Sequence, residues 1–548
     1  MVNEVEISFS MKPSLTSNLK VRFLGITPVL KDETGVLNPQ EIVALSALLT
    51  FKGKSIKKLF NEIEEKGQKV SERIKKILLK SSLRGHASIA TTPSLCLTYE
   101  GSKFLDSILT GTYFSSSLMS SGRRTETTEK DIVYPDAIFS NKKAEVLYRQ
   151  TSEKIIRFLN LLLSRKIKKD EASKILQYGI YGTGIVQLPI ETIIGLKKEY
   201  LREKEWMPDE LGWLLGKIEK EAEKLGIGWL YPTREAAPRN VYPYPNIFKD
   251  PKESNLTREL RQKIKLKDGS ALVSVDVLMT PGLKKKLLEL ERETRIIFNS
   301  QEKIRKNWQK LLSLRQSIFR DYNSALRIKV LSSIPWRIWG EKKRHRTCPQ
   351  IIESIYYCAE RAERTLLKFK KSIERGKITE SVLREIEMVF SVPPSTKKDK
   401  YLLSEYLKTG LRAMEAYRKL IRLGIKPKDA IFIVPRAIKI DILQEYDLYN
   451  LLTGYYPLRL CQTAEEEMRR NTIKEVAEIK KVLSGRGYDF LARLIVPKCH
   501  LVGFCPEEES CPMIMSAVKS YSEKFHRGMK ESLESDFQKN LRELVKKS

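Results

Sequence analysis

The chain has 548 residues, too many for one ordinary domain, and 41% of them are hydrophobic, enough to bury large cores. Its 100 Lys and Arg against 68 Asp and Glu leave a formal charge of +32, which favours anionic partners such as nucleotides, folates, phosphates or nucleic acid. No apolar run is long enough to span a bilayer, the first residues lack the regions of a signal peptide, and seven cysteines do not suggest a disulfide framework, so a soluble cytoplasmic protein is expected. The charge alone does not decide function, because it is spread over many helical faces and a Lys/Glu-rich surface also marks heat-adapted proteins.

In the first half, residues 19–24 read as a strand, and Asn38-Pro39-Gln40 opens an apolar helix over 41–49. Apolar residues at helical spacing mark 55–65 and 70–83. Gly85-His86-Ala87-Ser88 follows, then a strand over 95–99 and a helix over 101–109. The helix runs into Gly111-Thr112-Tyr113 and, seven residues later, Ser121-Gly122-Arg123-Arg124. A Ser-Gly-Arg turn sets backbone N–H groups beside guanidinium forks, a cradle suited to phosphate, although the bare tetrapeptide reads equally as a basic loop. Amphipathic helices cover 142–165, which ends in Ile167-Lys168-Lys169-Asp170-Glu171-Ala172, and 207–225. Residues 231–268 are rich in Pro, Asn and charge, and a domain boundary is expected there.

Beyond it the pattern restarts. A strand is expected at 271–278, a long helical tract over 281–320 and a strand at 325–331; residues 333–342 then lead into Arg344-His345-Arg346. Two guanidinium groups flanking a titratable imidazole suit an anion, while the triplet by itself is equally a solvated basic patch or a nucleic-acid contact. Seven residues separate Arg346 from Ser354, the same gap as between Tyr113 and Ser121. Helices follow at 359–371, 380–390 and 401–423, the last ending in Ile425-Lys426-Pro427-Lys428-Asp429-Ala430, an echo of the hexapeptide that ends the 142–165 helix. The chain therefore reads as two diverged copies of one unit, 1–245 and 271–548, joined by a 246–270 linker, with extra residues around 377–400 in the second.

The spacing R-H-R-x7-S at Arg344, His345, Arg346 and Ser354 resembles the signature of the flavin-dependent thymidylate synthases. Gly111 to Arg123 resembles the same signature in altered form, with Gly85-His86-Ala87-Ser88 upstream as in the family. Ala430-Ile431-Phe432-Ile433-Val434-Pro435 is similar to the family's A-R-x-x-L-P stretch, and Asp447–Leu451 stands at its N-x-R-x-L. Leu458-Arg459 followed by Ala464-Glu465-Glu466-Glu467-Met468-Arg469 resembles its L-R…A-Q-x-E-I-R ending.

The resemblance implies an α/β fold of two tandem, helix-rich units, each with a central mixed or antiparallel sheet. It implies an enzyme that makes dTMP from dUMP, using methylenetetrahydrofolate and NADPH through FAD. Arg344, His345 and Arg346 would contact the flavin, Ser121, Gly122 and Arg123 the nucleotide phosphate, and Arg459 the pyrimidine, with Arg459 and Ser354 as catalytic residues and no metal. Family members are homotetramers with sites assembled between subunits, so a two-copy chain implies a homodimer.

The departures are complementary. Gly111, Thr112 and Tyr113 replace the triplet in the first copy; Ile431 and Tyr356 replace phosphate-binding arginines in the second. Leu118-Met119 and Ile351-Ile352 replace the family's N-E pair. Two other readings stand beside the enzyme: a catalytically degenerate paralogue that binds nucleotide, and a basic nucleic-acid-binding protein. Cys499, His500, Cys505 and Cys511, with Cys461 as a distant extra thiol, form a non-standard zinc spacing that reads equally as buried apolar cysteines.

Overall fold

Each half of the chain builds one four-stranded sheet, and the two sheets share a strand order. The computed structural model describes residues 14–32, 35–65, 69–112, 114–121, 126–237, 245–266, 269–519 and 521–547. In the first half, β1 (Lys20–Thr27), β2 (Ser94–Ser102), β3 (Ser116–Met119) and β4 (Tyr181–Pro189) lie in the order β1-β2-β4-β3. In the second, β5 (Ser270–Val277), β6 (Leu326–Pro335), β7 (Gln350–Ile352) and β8 (Lys439–Tyr446) lie in the order β5-β6-β8-β7. β1 with β2, β2 with β4 and β3 with β4 pair antiparallel, as do β5 with β6 and β7 with β8. Alternation sets β2 in place: Leu95, Leu97 and Tyr99 point inward and are buried.

The helices repeat in the same way. The first half carries α1 (Lys103–Leu109), α2 (Lys142–Ser164) and α3 (Lys169–Ala172). The second carries α4 (Trp336–Lys342), α5 (Ile355–Lys368), α6 (Lys400–Arg422) and α7 (Pro427–Ala430). α1 and α4 both have 7 residues, and α2 and α6 both have 23. Lys103 and Trp336 start equivalent helices 233 positions apart, as Ser121 and Ser354 are; Lys142 and Lys400, Lys169 and Pro427, and Tyr181 and Lys439 are each 258 apart. The difference, 258 − 233, places 25 extra residues between Ser354 and Lys400. They include the helix Glu380–Glu387, in the region where an insertion is expected.

The chain groups into two compact units that do not coincide with its halves. The first comprises Met1–Glu253, Pro335–Arg344 and Glu353–Ile440, the second Ser254–Ile334, His345–Ile352 and Asp441–Ser548. The earliest crossing, at Glu253, falls inside the expected linker, which also holds a helix, Leu256–Lys263. In the first unit α2 packs on α6. Phe104 stacks on Phe432 (centroids 4.2 Å apart), and Trp336 lies 4.0 Å from Tyr178 and 5.5 Å from Phe104. Gln177 bridges Pro435, the residue 258 positions on. Arg436 lies over the Tyr178 ring, and its Nε donates to the Gln177 carbonyl at 3.1 Å.

In the second unit the expected tract over 281–320 is two helices, Pro281–Phe298 and Gln301–Tyr322. They are separated by Asn299-Ser300, where the Ser300 hydroxyl caps the second by accepting from Lys303 N. Among the described residues no helix is long and apolar enough to cross a membrane.

The start of α1 depends on one buried carboxyl. Ser102 caps α1, its Oγ accepting from Phe104 N at 3.1 Å, while its own N–H and hydroxyl donate to Glu210. Burial raises the Glu210 carboxyl from 4.5 to about 7, against the Ser102 hydrogen bonds, which lower it. Between these values the folded chain keeps a proton that the unfolded chain releases, so stability is full below the lower value and falls as pH rises through the upper one. The shift corresponds to roughly 3 kcal/mol. Glu210→Gln is expected to flatten this pH dependence while retaining an acceptor for Ser102. Thermal unfolding at about pH 5 and about pH 8 measures it; an unchanged slope in the variant contradicts the assignment.

Candidate functional site

The second unit brings His345 and Arg459 together. α8 (Tyr456–Leu460), which carries Arg459, follows a π-helical turn, Asn450–Gly454, a geometry that recurs at functional sites. Arg459 Nη2 lies 2.6 Å from His345 Nε2. A guanidinium has donors only, so His345 Nε2 accepts, which makes the ring neutral with its proton on Nδ1. Tyr455 stands edge-on to the same ring, centroids 4.9 Å apart at 83°.

Asn450 fixes the loop that carries His345. Its Nδ2 donates to the Thr347 carbonyl (3.2 Å) and to Asp447 Oδ1 (2.7 Å), and its Oδ1 accepts from Thr347 Oγ1 (3.0 Å). Asn323 holds the other Asp447 oxygen at 2.7 Å and accepts from Tyr449 N. Cys348 N donates to the His345 carbonyl, closing the turn. His345, Arg346 and Arg459 are half-buried, so their cationic and hydrogen-bonding groups face a partly dry surface suited to an anionic or delocalised ligand.

The remaining expected site residues lie in the first unit. Arg344 is exposed. Ser354 is buried at the start of α5, where its hydroxyl donates to the Lys249 carbonyl at 2.7 Å. Ser121 follows β3 and is half-buried. Gly122 and Arg123, with Tyr113, lie outside the described residues.

The positions where the family cations are lost have become packing positions. Tyr356 is buried, its hydroxyl bonded to the Trp206 carbonyl and its ring 5.0 Å from the Trp206 ring. Ile431 is fully buried. Thr112, at the histidine position of the first copy, is buried and donates to the Leu109 carbonyl at 3.0 Å. Beside it, Lys343 is buried and donates to the Ser107 carbonyl and hydroxyl.

Residues 291–483 match the family described as thymidylate synthase complementing protein, a span that encloses Arg344, His345, Arg346, Ser354 and Arg459. This part of the chain is similar to the flavin-dependent thymidylate synthases. Over 127 residues it is 34% identical to the flavin-dependent thymidylate synthase of Pyrococcus abyssi, covering 23% of this chain and 51% of that protein. The Pyrococcus horikoshii enzyme is 37% identical over 128 residues, covering 23% of this chain and 52% of that protein. The chain thus spans about half the length of the curated relatives it matches. Among solved structures, the UMP/dUMP methylase PolB from Streptomyces cacaoi bound with 5-Br dUMP is 12% identical, covering 41% of this chain and 100% of that one at a TM-score of 0.32. Thymidylate synthase X from Helicobacter pylori with FAD and dUMP is 17% identical, covering 39% and 99% at 0.28.

The thymidylate synthase signature pointed to His345 and Arg459 but not to Asn450, whose role rests on its contacts to Thr347, 103 residues away in sequence. Asn450 is fully buried, and truncating it removes its side-chain bonds to the Thr347 carbonyl and hydroxyl and to Asp447. Asn450→Ala is expected to destabilise the protein by roughly 1–3 kcal/mol. Denaturant unfolding measures this, and an unchanged midpoint contradicts the clamp.

Proposed function

We propose that the chain is a flavin-dependent thymidylate synthase that methylates dUMP to dTMP with methylenetetrahydrofolate and NADPH. The observation that carries this reading is the Arg459–His345 contact inside the family-matched span. The residues present fit a flavin: two guanidinium groups and a polarised neutral imidazole supply donors and positive charge for a delocalised anionic system. When bound, FAD supplies the hydride chemistry that side chains lack.

The chain's own groups bind, orient and polarise. Arg344 and Arg346 hold the cofactor's negative charge. His345 accepts from Arg459 and so fixes the direction of its guanidinium, which meets the pyrimidine. Ser121, Gly122 and Arg123 of the first copy bind the nucleotide phosphate, since Tyr356 and Ile431 leave the second copy packed at the corresponding positions. Ser354 ties the start of α5 to Lys249 and acts by positioning. Two chains, each with two copies, form the homodimer that corresponds to the family's tetramer.

The burial of Tyr356 and Ile431 also favours a second reading, a nucleotide-binding paralogue without turnover. The visible spectrum of purified protein separates the two. Flavin absorbance is expected, and Arg344→Ala with Arg346→Ala is expected to abolish flavin retention with an unchanged unfolding transition. A double variant that keeps its full flavin complement contradicts the assignment, and a colourless native protein that binds dUMP supports the paralogue.

A further inference from the structure

Four cysteines from separate segments of the second unit line one cavity of about 550 Å³: Cys461, Cys499, Cys505 and Cys511. All four are free thiols. Cys461 follows α8, Cys499 sits in the one-turn helix Lys498–Leu501, Cys505 follows Gly503 in a loop, and Cys511 precedes α9 (Pro512–Ala517). Gly503 has φ +86°, and a Cβ there would lie 2.9 Å from Phe298, so the turn that presents Cys505 requires glycine. Pro506 and Pro512 directly follow Cys505 and Cys511 and restrict both cysteines to extended backbone; Cys511 has φ −122° and ψ 162°.

The thiols are mutual neighbours. All four side chains line the same cavity. Cys461, Cys499 and Cys505 are buried and Cys511 is half-buried. His500 is engaged elsewhere, its Nε2 lying 2.7 Å from the Met513 carbonyl, so the donor set is four sulfurs without an imidazole. Lys498, paired with Glu507, also lines the cavity, together with Glu508 and Glu509.

The size of the cavity that the four thiols line, about 550 Å³, selects among metals. Zinc requires all four at about 2.3 Å from one ion. An iron–sulfur cluster presents a separate iron to each thiolate, so its four cysteines surround a cavity rather than a point. Three of the four cysteines lie beyond residue 483, where the family match ends.

We propose that Cys461, Cys499, Cys505 and Cys511 ligate a [4Fe–4S] cluster. Two ferrous ions, two ferric ions and four inorganic sulfides are the co-reactants of assembly, so no electron is gained or lost. Each thiol releases one proton to solvent and forms one bond to iron, and the cysteine sulfurs are not oxidised.

The test uses the full chain purified without oxygen and reconstituted with equal amounts of ferrous and ferric iron and with sulfide. About four iron and four acid-labile sulfide per chain are expected, with a paramagnetic signal on reduction that persists after flavin is removed. Cys499→Ser with Cys505→Ser is expected to bring iron and sulfide to background, while Cys96→Ser, in the first unit, leaves them unchanged. Should the double variant fail to fold, the iron and sulfide content of the native chain decides. Absence of stoichiometric iron after reconstitution overturns the proposal, as does about one zinc per chain in its place.

Discussion

The first unit depends on contacts between segments that occupy equivalent places in the two copies. Gln177 bridges Pro435, its own counterpart, and α2 packs against α6, its counterpart of equal length. Around this join Phe104, Tyr178, Trp336 and Phe432 bury their rings against one another. A buried aromatic side chain contributes on the order of 1.5–3 kcal/mol through area alone, and each ring pair adds about 0.5–1.5. Removing the second-copy segments would expose Phe104 and Tyr178 together, so the first copy's sheet is stabilised by residues from the second half of the chain.

That interdependence bears on how the two copies diverged. With two versions of several elements in one chain, a site function kept by one copy can be lost from the other. Where the resemblance expects cationic side chains, Tyr356, Ile431 and Thr112 pack or bond to backbone. Burying an unpaired cation costs several kcal/mol, so a site that no longer meets its anion gains stability by this exchange. Arg344, His345, Arg346 and Arg459 remain in the second copy, where His345 gives Arg459 a partner.

Much of the architecture was legible wherever a physical signal is local. The alternation of β2, the cap at Asn38-Pro39 and the paired hexapeptides that became α3 and α7 are all visible in sequence. β8 was not, because Lys439–Tyr446 is buried on both faces and carries no alternation. β4 was hidden by its glycines; at Gly182 a Cβ would lie 2.9 Å from the Ser102 carbonyl oxygen, so the strand pairing itself demands the residue that weakens the strand pattern. The unit boundaries were not legible either, because they follow α6 packing on α2 rather than chain order. At the site, motif spacing named His345 and Arg459, whereas the Asn450 clamp and the convergence of Cys461 with Cys499, Cys505 and Cys511 exist only in three dimensions.

The central claim is that two eroded copies make fewer working sites than copies. Calorimetric titration of the intact protein with dUMP, with the oligomeric mass taken from light scattering, counts the sites directly. The proposed function predicts about one dUMP per chain, or two per homodimer, since it assigns the phosphate to first-copy residues and the pyrimidine to a second-copy residue. Two equivalent dUMP per chain would contradict it.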